Sequence, residues 1–165
     1  LDLVFNDFVV NSITKKEILI LSNGEPWRPL IHVKDMALSI EWAVRYDSKK
    51  NFLAINIGSD KWTFKIKDLA SKIAKSFGKV TVKLNKNNQP DKRSYTVDFS
   101  LFKKITKNFQ PRENVKNAAK VLAKNIIDSN YDFKNFRNSK KFIRLKTLKD
   151  LQERKLINKR LFWIK

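Results

Sequence analysis

Apolar residues recur along the chain at two spacings, which predict helices alternating with short strands. Apolar positions three or four residues apart predict helices over residues 2–14, 34–46, 66–77 and 113–128, a short helix at 99–104 and a last one around Leu145, Leu148 and Leu151. Short apolar or alternating runs predict strands over residues 17–21, 28–33, 52–57 and 79–84. This order indicates the α/β class. Three or four short strands are too few for a complete doubly wound sheet, so the pattern fits the completing part of a larger fold.

Local signals refine this pattern. Asn23-Gly24 predicts a tight turn between the first two strands, because both residues tolerate positive φ angles. Pro29 lacks a backbone N–H and predicts an edge position for the second strand. Asp98 is suited to cap the short helix that follows it. In the helix predicted at 34–46, the apolar residues Met36, Ala37, Ile40, Ala43 and Val44 share one face.

Composition narrows the classes of function. The chain of 165 residues has no cysteine and a single histidine, His32, which excludes disulfides, thiol nucleophiles and multi-histidine metal sites. Its formal net charge of +20 would attract polyanions, so a basic nucleic-acid-binding module is one alternative. Only eight of the 36 basic residues are arginine, however, and dispersed lysines are more typical of a solvated surface. With no cysteine, the cytoplasm is the default location, and no apolar run approaches the length of a membrane helix.

The chain contains no recognisable catalytic constellation. It has no glycine-rich GxGxxG turn, no P-loop and no HExxH motif. Tyr46 and Lys50 match the bare spacing of a Tyr-x-x-x-Lys pair, but they fall at a predicted helix end in a polar loop. We therefore assign no catalytic residue and no metal ligand to this chain.

Two polar clusters remain as candidates for binding. Arg28 follows the Asn23-Gly24 turn, where its planar guanidinium could face a phosphate or carboxylate; alternatively it pairs with an acid such as Asp35. His32 reads as a hydrogen-bonded structural histidine and Asp35 as a helix-start residue. In the second cluster, Asp91 and Arg93 could hold a ribose hydroxyl and a phosphate, although the segment also reads as an ordinary polar loop.

Four segments together resemble the C-terminal half of extended short-chain dehydrogenases/reductases, the NAD-dependent nucleotide-sugar epimerase and dehydratase family. They are Phe5-Asn-Asp-Phe-Val-Val-Asn11, Gly24-Glu-Pro-Trp-Arg-Pro-Leu-Ile-His-Val-Lys-Asp-Met-Ala37, Ile55-Asn-Ile-Gly58 and Pro90-Asp-Lys-Arg-Ser-Tyr-Thr-Val-Asp98. Their order and spacing, rather than any one motif, make the resemblance specific. It implies a substrate-binding part at 1–105 and a helical C-terminal tail at 106–165 packed on it.

The resemblance implies roles for four residues. Arg28 would bind the diphosphate of a nucleotide-sugar, Asn6 would contact its sugar or phosphate, and Asp91 and Arg93 would lie near the ribose and phosphates. NAD or NADP would be bound mainly by an N-terminal Rossmann half. That half, with its glycine-rich turn and Tyr-x-x-x-Lys pair, is absent from this sequence, which begins at Leu1 and reads as the interior of a longer protein.

The function implied by the resemblance is substrate binding within an enzyme of sugar-nucleotide metabolism. The complete protein, an isomerase or lyase and possible homodimer, would serve cell-surface polysaccharide biosynthesis by hydride chemistry at a sugar carbon. This chain would supply affinity and orientation and be inactive alone. The alternatives are the nucleic-acid-binding module and an accessory α/β protein that caps a partner with an apolar face.

Overall fold

The elements of the chain follow the predicted alternation of helices and strands. A computed structural model describes residues 3–48, 51–85, 93–107 and 109–164. In chain order the elements are α1 (Val4–Thr14), β1 (Glu17–Ile20), β2 (Trp27–Pro29), α2 (Val33–Arg45), β3 (Thr63–Lys65), α3 (Ile66–Phe77), β4 (Thr81–Leu84), α4 (Ser100–Thr106), α5 (Val115–Asp128) and α6 (Arg144–Glu153). Short 3-10 turns lie at Asp60–Trp62 and Phe136–Asn138. The α/β class is confirmed.

The described strands form two small sheets. β1 and β4 pair in parallel, with Glu17 opposite Thr81 and Ile20 opposite Leu84. β2 and β3 pair antiparallel, with Arg28 opposite Phe64. The second sheet is a two-stranded ribbon, so Pro29 lies at an edge as predicted.

The hydrophobic core lies between the β1–β4 pair and the helices α1, α3 and α5. Helical spacing gives each of these helices a buried stripe, represented by Phe8 and Val9 in α1, Leu69 and Ile73 in α3 and Ala119 in α5. The irregular segment after α5 adds Phe133 and Phe136 to the same cluster. The division of the chain at residue 105 stays a prediction.

The strand predicted at 52–57 is wrong. Residues 52–57 belong to no strand, and within the described ranges no strand pairs with them. A run of apolar residues becomes a strand only where a neighbouring backbone completes its hydrogen bonds. β3 was missed for the opposite reason: the short sequence Thr63-Phe-Lys65 has little hydrophobic signal, and its pairing with β2 determines its structure.

Helix α2 does not bury the apolar face that its spacing defines. Asp35, Ser39 and Trp42 are its buried residues. Met36, Ile40 and Val44 are 51%, 55% and 83% exposed. The apolar stripe of α2 therefore faces away from the rest of the described chain.

Candidate functional site

The turn before β2 is held in place by backbone geometry and by charge. Gly24 has φ of +76°, and a Cβ at this position would lie 2.9 Å from Cβ of Lys67, so the turn requires glycine. The carboxylate of Glu25 contacts Nζ of Lys67 and lies 2.9 Å from Nζ of Lys65. The hydrogen bond from Lys67, with that from Lys65, lowers the pKa of Glu25 from 4.5 to about 2. These contacts tie the turn to β3 and α3.

The structure brings Arg28 together with the segment that contains Arg93. Nη1 of Arg28 donates to the backbone oxygen of Trp27 at 2.7 Å and to the backbone oxygen of Arg93. The guanidinium carbon lies 5.7 Å from the ring centroid of Tyr95, within range of a cation–π contact. The backbone N–H of Trp27 donates to Oγ of Ser94 at 3.1 Å. Residues 93–95 therefore contact β2 at Trp27 and Arg28. This contact, called the Arg28 crossing, holds the guanidinium of Arg28 in place.

Two further motifs of the resemblance meet nearby. Nδ2 of Asn56 donates to the backbone oxygen of Asp98 at 3.3 Å. A Cβ on Gly58 would lie 2.5 Å from Cε1 of Phe99, so the absence of a side chain lets the two segments pack. Pro29–Ile31, Asn56–Ile57, Val97 and Phe99 line a cavity of about 220 Å³ beside Arg28. Three of the four motifs thus converge on one region.

Asn6 is placed elsewhere. It lies in the first turn of α1 and lines a different cavity, whose other walls come from α5 and residues 129–147. Neither Arg28 nor Arg93 lines that cavity. Asp91 lies outside the described residues. Of the four predicted binding residues, Arg28 and Arg93 are therefore the pair that the structure brings together, and the roles of all four stay predictions.

His32 and Asp35 have structural partners. Nδ1 of His32 accepts from the backbone N–H of Lys34 at 3.3 Å, which makes His32 the N-cap of α2. Asp35 is 3% exposed, and its carboxylate accepts from the backbone N–H groups of Arg112 at 2.9 Å and Glu113 at 3.2 Å. Asp35 thus fastens α2 to the segment before α5, a long-range contact that the helix-start reading did not foresee.

Sequence reasoning missed the contributions of Trp27, Ser94 and Tyr95. All three fall within the quoted motifs, but the motifs gave them no role. The sequence did offer a signal, an aromatic residue near each arginine: Trp27 precedes Arg28, and Tyr95 lies two positions after Arg93. An aromatic ring can bind a guanidinium through a cation–π contact.

Asp98 was foreseen as the cap of the short helix, but the N-cap of α4 is Phe99, and Asp98 lies one residue before it. Its carboxylate accepts from the backbone N–H of Ser100 at 2.8 Å and from Oγ of Ser100 at 3.0 Å. These hydrogen bonds, the backbone one first, lower the pKa of Asp98. The carboxylate therefore fixes the start of α4 next to the crossing of residues 93–95 with β2.

The residues present do not fit a nicotinamide dinucleotide. Such cofactors require a cradle of several glycines at a helix start. Here Gly24 packs on Lys67, Gly58 packs on Phe99, and Gly78, with φ of +79°, ends α3. These are the only glycines of the sequence. We therefore derive no chemical step through NAD from this chain.

Part of the chain is similar to a known protein family. Residues 4–58 match the NAD dependent epimerase/dehydratase family. No curated protein matches the chain. In the described residues, no helix is both long and apolar enough to cross a membrane.

Solved structures share the fold at low sequence identity. UDP-N-acetylglucosamine 4-epimerase from Bacillus cereus is 20% identical with a TM-score of 0.60, and the match covers 79% of this chain and 41% of that one. UDP-glucuronic acid 4-epimerase from the same organism, solved with UDP-glucuronic acid and NAD, is 18% identical with a TM-score of 0.57, covering 78% and 40%.

A third solved structure, the NAD dependent NDP-hexosamine 5,6-dehydratase of tunicamycin biosynthesis, is 12% identical with a TM-score of 0.59, covering 79% and 41%. The chain therefore spans about two fifths of the length of these proteins. The motif-based resemblance is confirmed: residues 4–58 match the NAD dependent epimerase/dehydratase family, and the chain shares the α/β fold of these solved structures.

Proposed function

We propose that this chain is the substrate-binding part of an NAD-dependent nucleotide-sugar epimerase or dehydratase. The observation that carries the proposal is the crossing of β2 with residues 93–95, where the guanidinium of Arg28 is fixed by two backbone oxygens and lies beside the ring of Tyr95. An arginine held in one orientation loses little side-chain entropy on binding, and its planar fork matches a diphosphate. One of these two oxygens belongs to Arg93, so the backbone of Arg93 lies at the same crossing.

In this proposal the chain orients the substrate and does not react with it. Arg28 binds the diphosphate, Arg93 and Asp91 contact the phosphates and ribose, and Asn6 contacts the sugar or phosphate. Fixing the diphosphate limits the positions that the attached sugar can take, which is how a binding site contributes to rate without a reactive group. The cofactor, NAD or NADP, and the catalytic residues belong to an N-terminal Rossmann half. The chain alone is then inactive, and the complete enzyme serves cell-surface polysaccharide synthesis.

An exposed apolar surface supports the proposal that this chain is part of a larger fold. Met36, Ile40 and Val44 form the exposed stripe of α2, and Phe52, in the unpaired segment 52–57, is 81% exposed. A helix with an open apolar stripe, followed by an unpaired apolar segment, is what remains when a helix–strand unit is separated from its sheet. The covered share of the solved relatives, about two fifths, agrees with a missing half of α/β structure.

Arg28 is the residue that tests the proposal. In the complete enzyme, Arg28→Ala should weaken the affinity for UDP-glucose or dTDP-glucose by about 2 kcal/mol, roughly 30-fold, because a charge-assisted contact is lost. Arg45→Ala is the matched control, since Arg45 is an exposed arginine of α2 paired with Glu41 at 2.8 Å. Isothermal titration calorimetry measures both. Equal affinities in wild type and Arg28→Ala would remove Arg28 from the diphosphate site.

A further inference from the structure

A short hairpin after α6 exposes a group of apolar side chains. It is formed by residues 156–164: Ile157 and Trp163 form an antiparallel bridge, and the backbone N–H of Ile164 donates to the backbone oxygen of Leu156 at 2.9 Å. Five of these nine residues are large, apolar and at least 36% exposed, namely Leu156, Leu161, Phe162, Trp163 and Ile164. Single exposed apolar residues are ordinary, whereas a contiguous group indicates a surface that contacts a partner.

The 156–164 hairpin has an ordered turn and is attached to the rest of the chain. The backbone N–H of Asn158 donates to the backbone oxygen of Phe162 at 2.8 Å. Oδ1 of Asn158 accepts from the backbone N–H groups of Arg160 at 2.8 Å and Phe162 at 3.1 Å. Ile157 is 4% exposed, and its backbone N–H donates to the backbone oxygen of Leu151, in α6, at 3.4 Å. The exposed side chains are therefore presented by a folded hairpin.

Basic residues surround these apolar side chains. Lys155, Lys159 and Arg160 are exposed, and within the described ranges none of the three forms an ion pair. Residues 140–164 contain nine lysines and arginines but only two acids. This charge favours a partner with a negative surface. It disfavours a second copy of this chain, which has the same formal charge of +20.

The exposure of the second arm of the hairpin favours a bilayer over a protein or a nucleic acid. Successive side chains of an extended arm point to opposite faces. Phe162, Trp163 and Ile164 are 66%, 70% and 53% exposed, so both faces of this arm are open. A protein surface covers one face, whereas lipids can surround a protruding turn. Nucleic acid would stack on the two aromatic rings but would gain little from Leu161 and Ile164.

We propose that the 156–164 hairpin binds the surface of an anionic lipid bilayer. Its exposed apolar side chains would lie at the boundary between headgroups and acyl chains, where tryptophan is favoured. Its three basic residues would extend their charged ends to the lipid phosphates. The hairpin rests on one leaflet and does not span it. This proposal does not depend on the proposed function, because it uses no residue of the nucleotide-sugar site.

Co-sedimentation of this chain with lipid vesicles tests the proposal. One set of vesicles contains phosphatidylcholine alone, and the other contains about one third phosphatidylglycerol. We expect the affinity for the mixed vesicles to be at least about tenfold higher and to fall as salt is added, because the attraction to anionic headgroups is screened. Absence of binding to the mixed vesicles, or equal binding to both sets, would overturn the proposal.

A matched pair of variants tests the apolar contact. Phe162→Ala with Trp163→Ala should weaken binding to the mixed vesicles at least about tenfold, because the inserted apolar area is lost. Phe52→Ala removes an aromatic ring that is 81% exposed outside the hairpin, and it should leave binding within about twofold. Circular dichroism shows whether each variant is folded. Equal affinities of the two folded variants would exclude the hairpin as the contact.

A second pair separates local charge from total charge. Lys159→Ala with Arg160→Ala removes two charges from the hairpin, and Lys116→Ala with Lys120→Ala removes two from exposed positions of α5. The hairpin variant should lose at least about fivefold more affinity for the mixed vesicles than the α5 variant. If both lost the same, the net charge of the chain would account for binding and the proposal would fail.

The fluorescence of Trp163 reports whether the hairpin enters the interface. Tryptophan emission should shift to the blue when the chain binds the mixed vesicles, because the ring leaves water. Trp163→Phe keeps an aromatic ring, so it should bind within about threefold of wild type but lack the shift. A shift that persists in Trp163→Phe would arise from another tryptophan and would contradict insertion of the hairpin.

The complete enzyme and RNA provide the last two comparisons. The complete enzyme should bind the mixed vesicles as this chain does, and Arg28→Ala should not change that binding. If the chain binds and the complete enzyme does not, the hairpin is covered by another part of the protein and the proposal is overturned. Binding of single-stranded RNA that requires Phe162 and Trp163, without binding of vesicles, would identify nucleic acid as the partner instead.

Discussion

Removal of the Asp35 carboxylate should destabilise the chain strongly. Asp35 is buried in α2, and its two oxygens accept the backbone N–H groups of Arg112 and Glu113. In Asp35→Ala both amides lose their acceptor. In Asp35→Asn the shape is kept, one oxygen remains as an acceptor and the charge is lost.

The magnitude follows from these two hydrogen bonds. A buried amide without an acceptor costs about 1–3 kcal/mol. The Arg112 side of this contact is solvent-exposed, so water can replace part of the interaction and the lower half of that range applies. We expect Asp35→Ala to reduce the free energy of unfolding by about 3 kcal/mol and Asp35→Asn by about 1–2 kcal/mol. For a chain of this length, 3 kcal/mol corresponds to a fall in Tm of about 6–12 °C.

Urea unfolding followed by tryptophan fluorescence measures the effect, since Trp42 in α2 and Trp62 are both buried. Asp47→Ala, an exposed carboxylate just after the same helix, is the control and should change stability by less than about 0.5 kcal/mol. If Asp35→Ala and Asp47→Ala were equally stable, the contact between α2 and residues 112–113 would not fasten the helix as described.

Three further predictions concern charge and the apolar face. Arg137→Ala should reduce the free energy of unfolding by about 2 kcal/mol, measured in urea, because the half-buried carboxylate of Asp7 loses its partner; an unchanged midpoint would contradict this. Glu25 has a pKa depressed to about 2, so its stabilisation is complete above pH 4.5 and is lost as the pH falls towards 2. Thermal unfolding of Glu25→Gln should therefore depend less steeply on pH in that interval than the wild type, and parallel curves would refute the assignment. Ile40→Glu with Val44→Glu should leave the Tm of this chain within about 2 °C, since both side chains are exposed, but should prevent folding or activity of the complete enzyme; full activity would show that α2 has no covering partner.

The helices could be predicted closely because their signal is local. The predicted helix at 66–77 coincides with α3, and Val115–Asp128 lies within the predicted 113–128. Each has an apolar stripe that matches the turn of the helix and is buried in the core, as Ile73 is. Spacing and burial therefore agree where the packing partner is within the chain.

Elements that depend on a distant partner were not predictable. The apolar run at 52–57 carries a strand signal, but no strand pairs with it among the described residues. The stripe of α2 carries a burial signal, but no described part of the chain covers it. β3 shows the reverse, because its pairing with β2 outweighs a weak sequence signal. The spacing of apolar residues indicates which face of a segment is suited to packing. Whether that face is buried depends on the partner, which the spacing does not identify.

The residues of the candidate site were also predicted only in part. Arg28 and Arg93 were selected from two motifs 65 residues apart, and the hydrogen bond between them joins those motifs in space. The resemblance also grouped Asn6 with them, but the structure places Asn6 in the cavity formed with the tail. The tail residues that build this cavity carry no motif, and their proximity to α1 depends on the ion pair between Arg137 and Asp7.

The central claim is that Arg28 recognises the diphosphate of a nucleotide-sugar, and a comparison of phosphorylated and unphosphorylated ligands tests it most directly. The measurement is the ratio of the affinities of UDP-glucose and uridine for the complete enzyme, by calorimetry, in wild type and Arg28→Ala. The account predicts that wild type prefers UDP-glucose and that Arg28→Ala reduces this preference about 30-fold while uridine binding is unchanged. A preference of the same size in both proteins would contradict the claim.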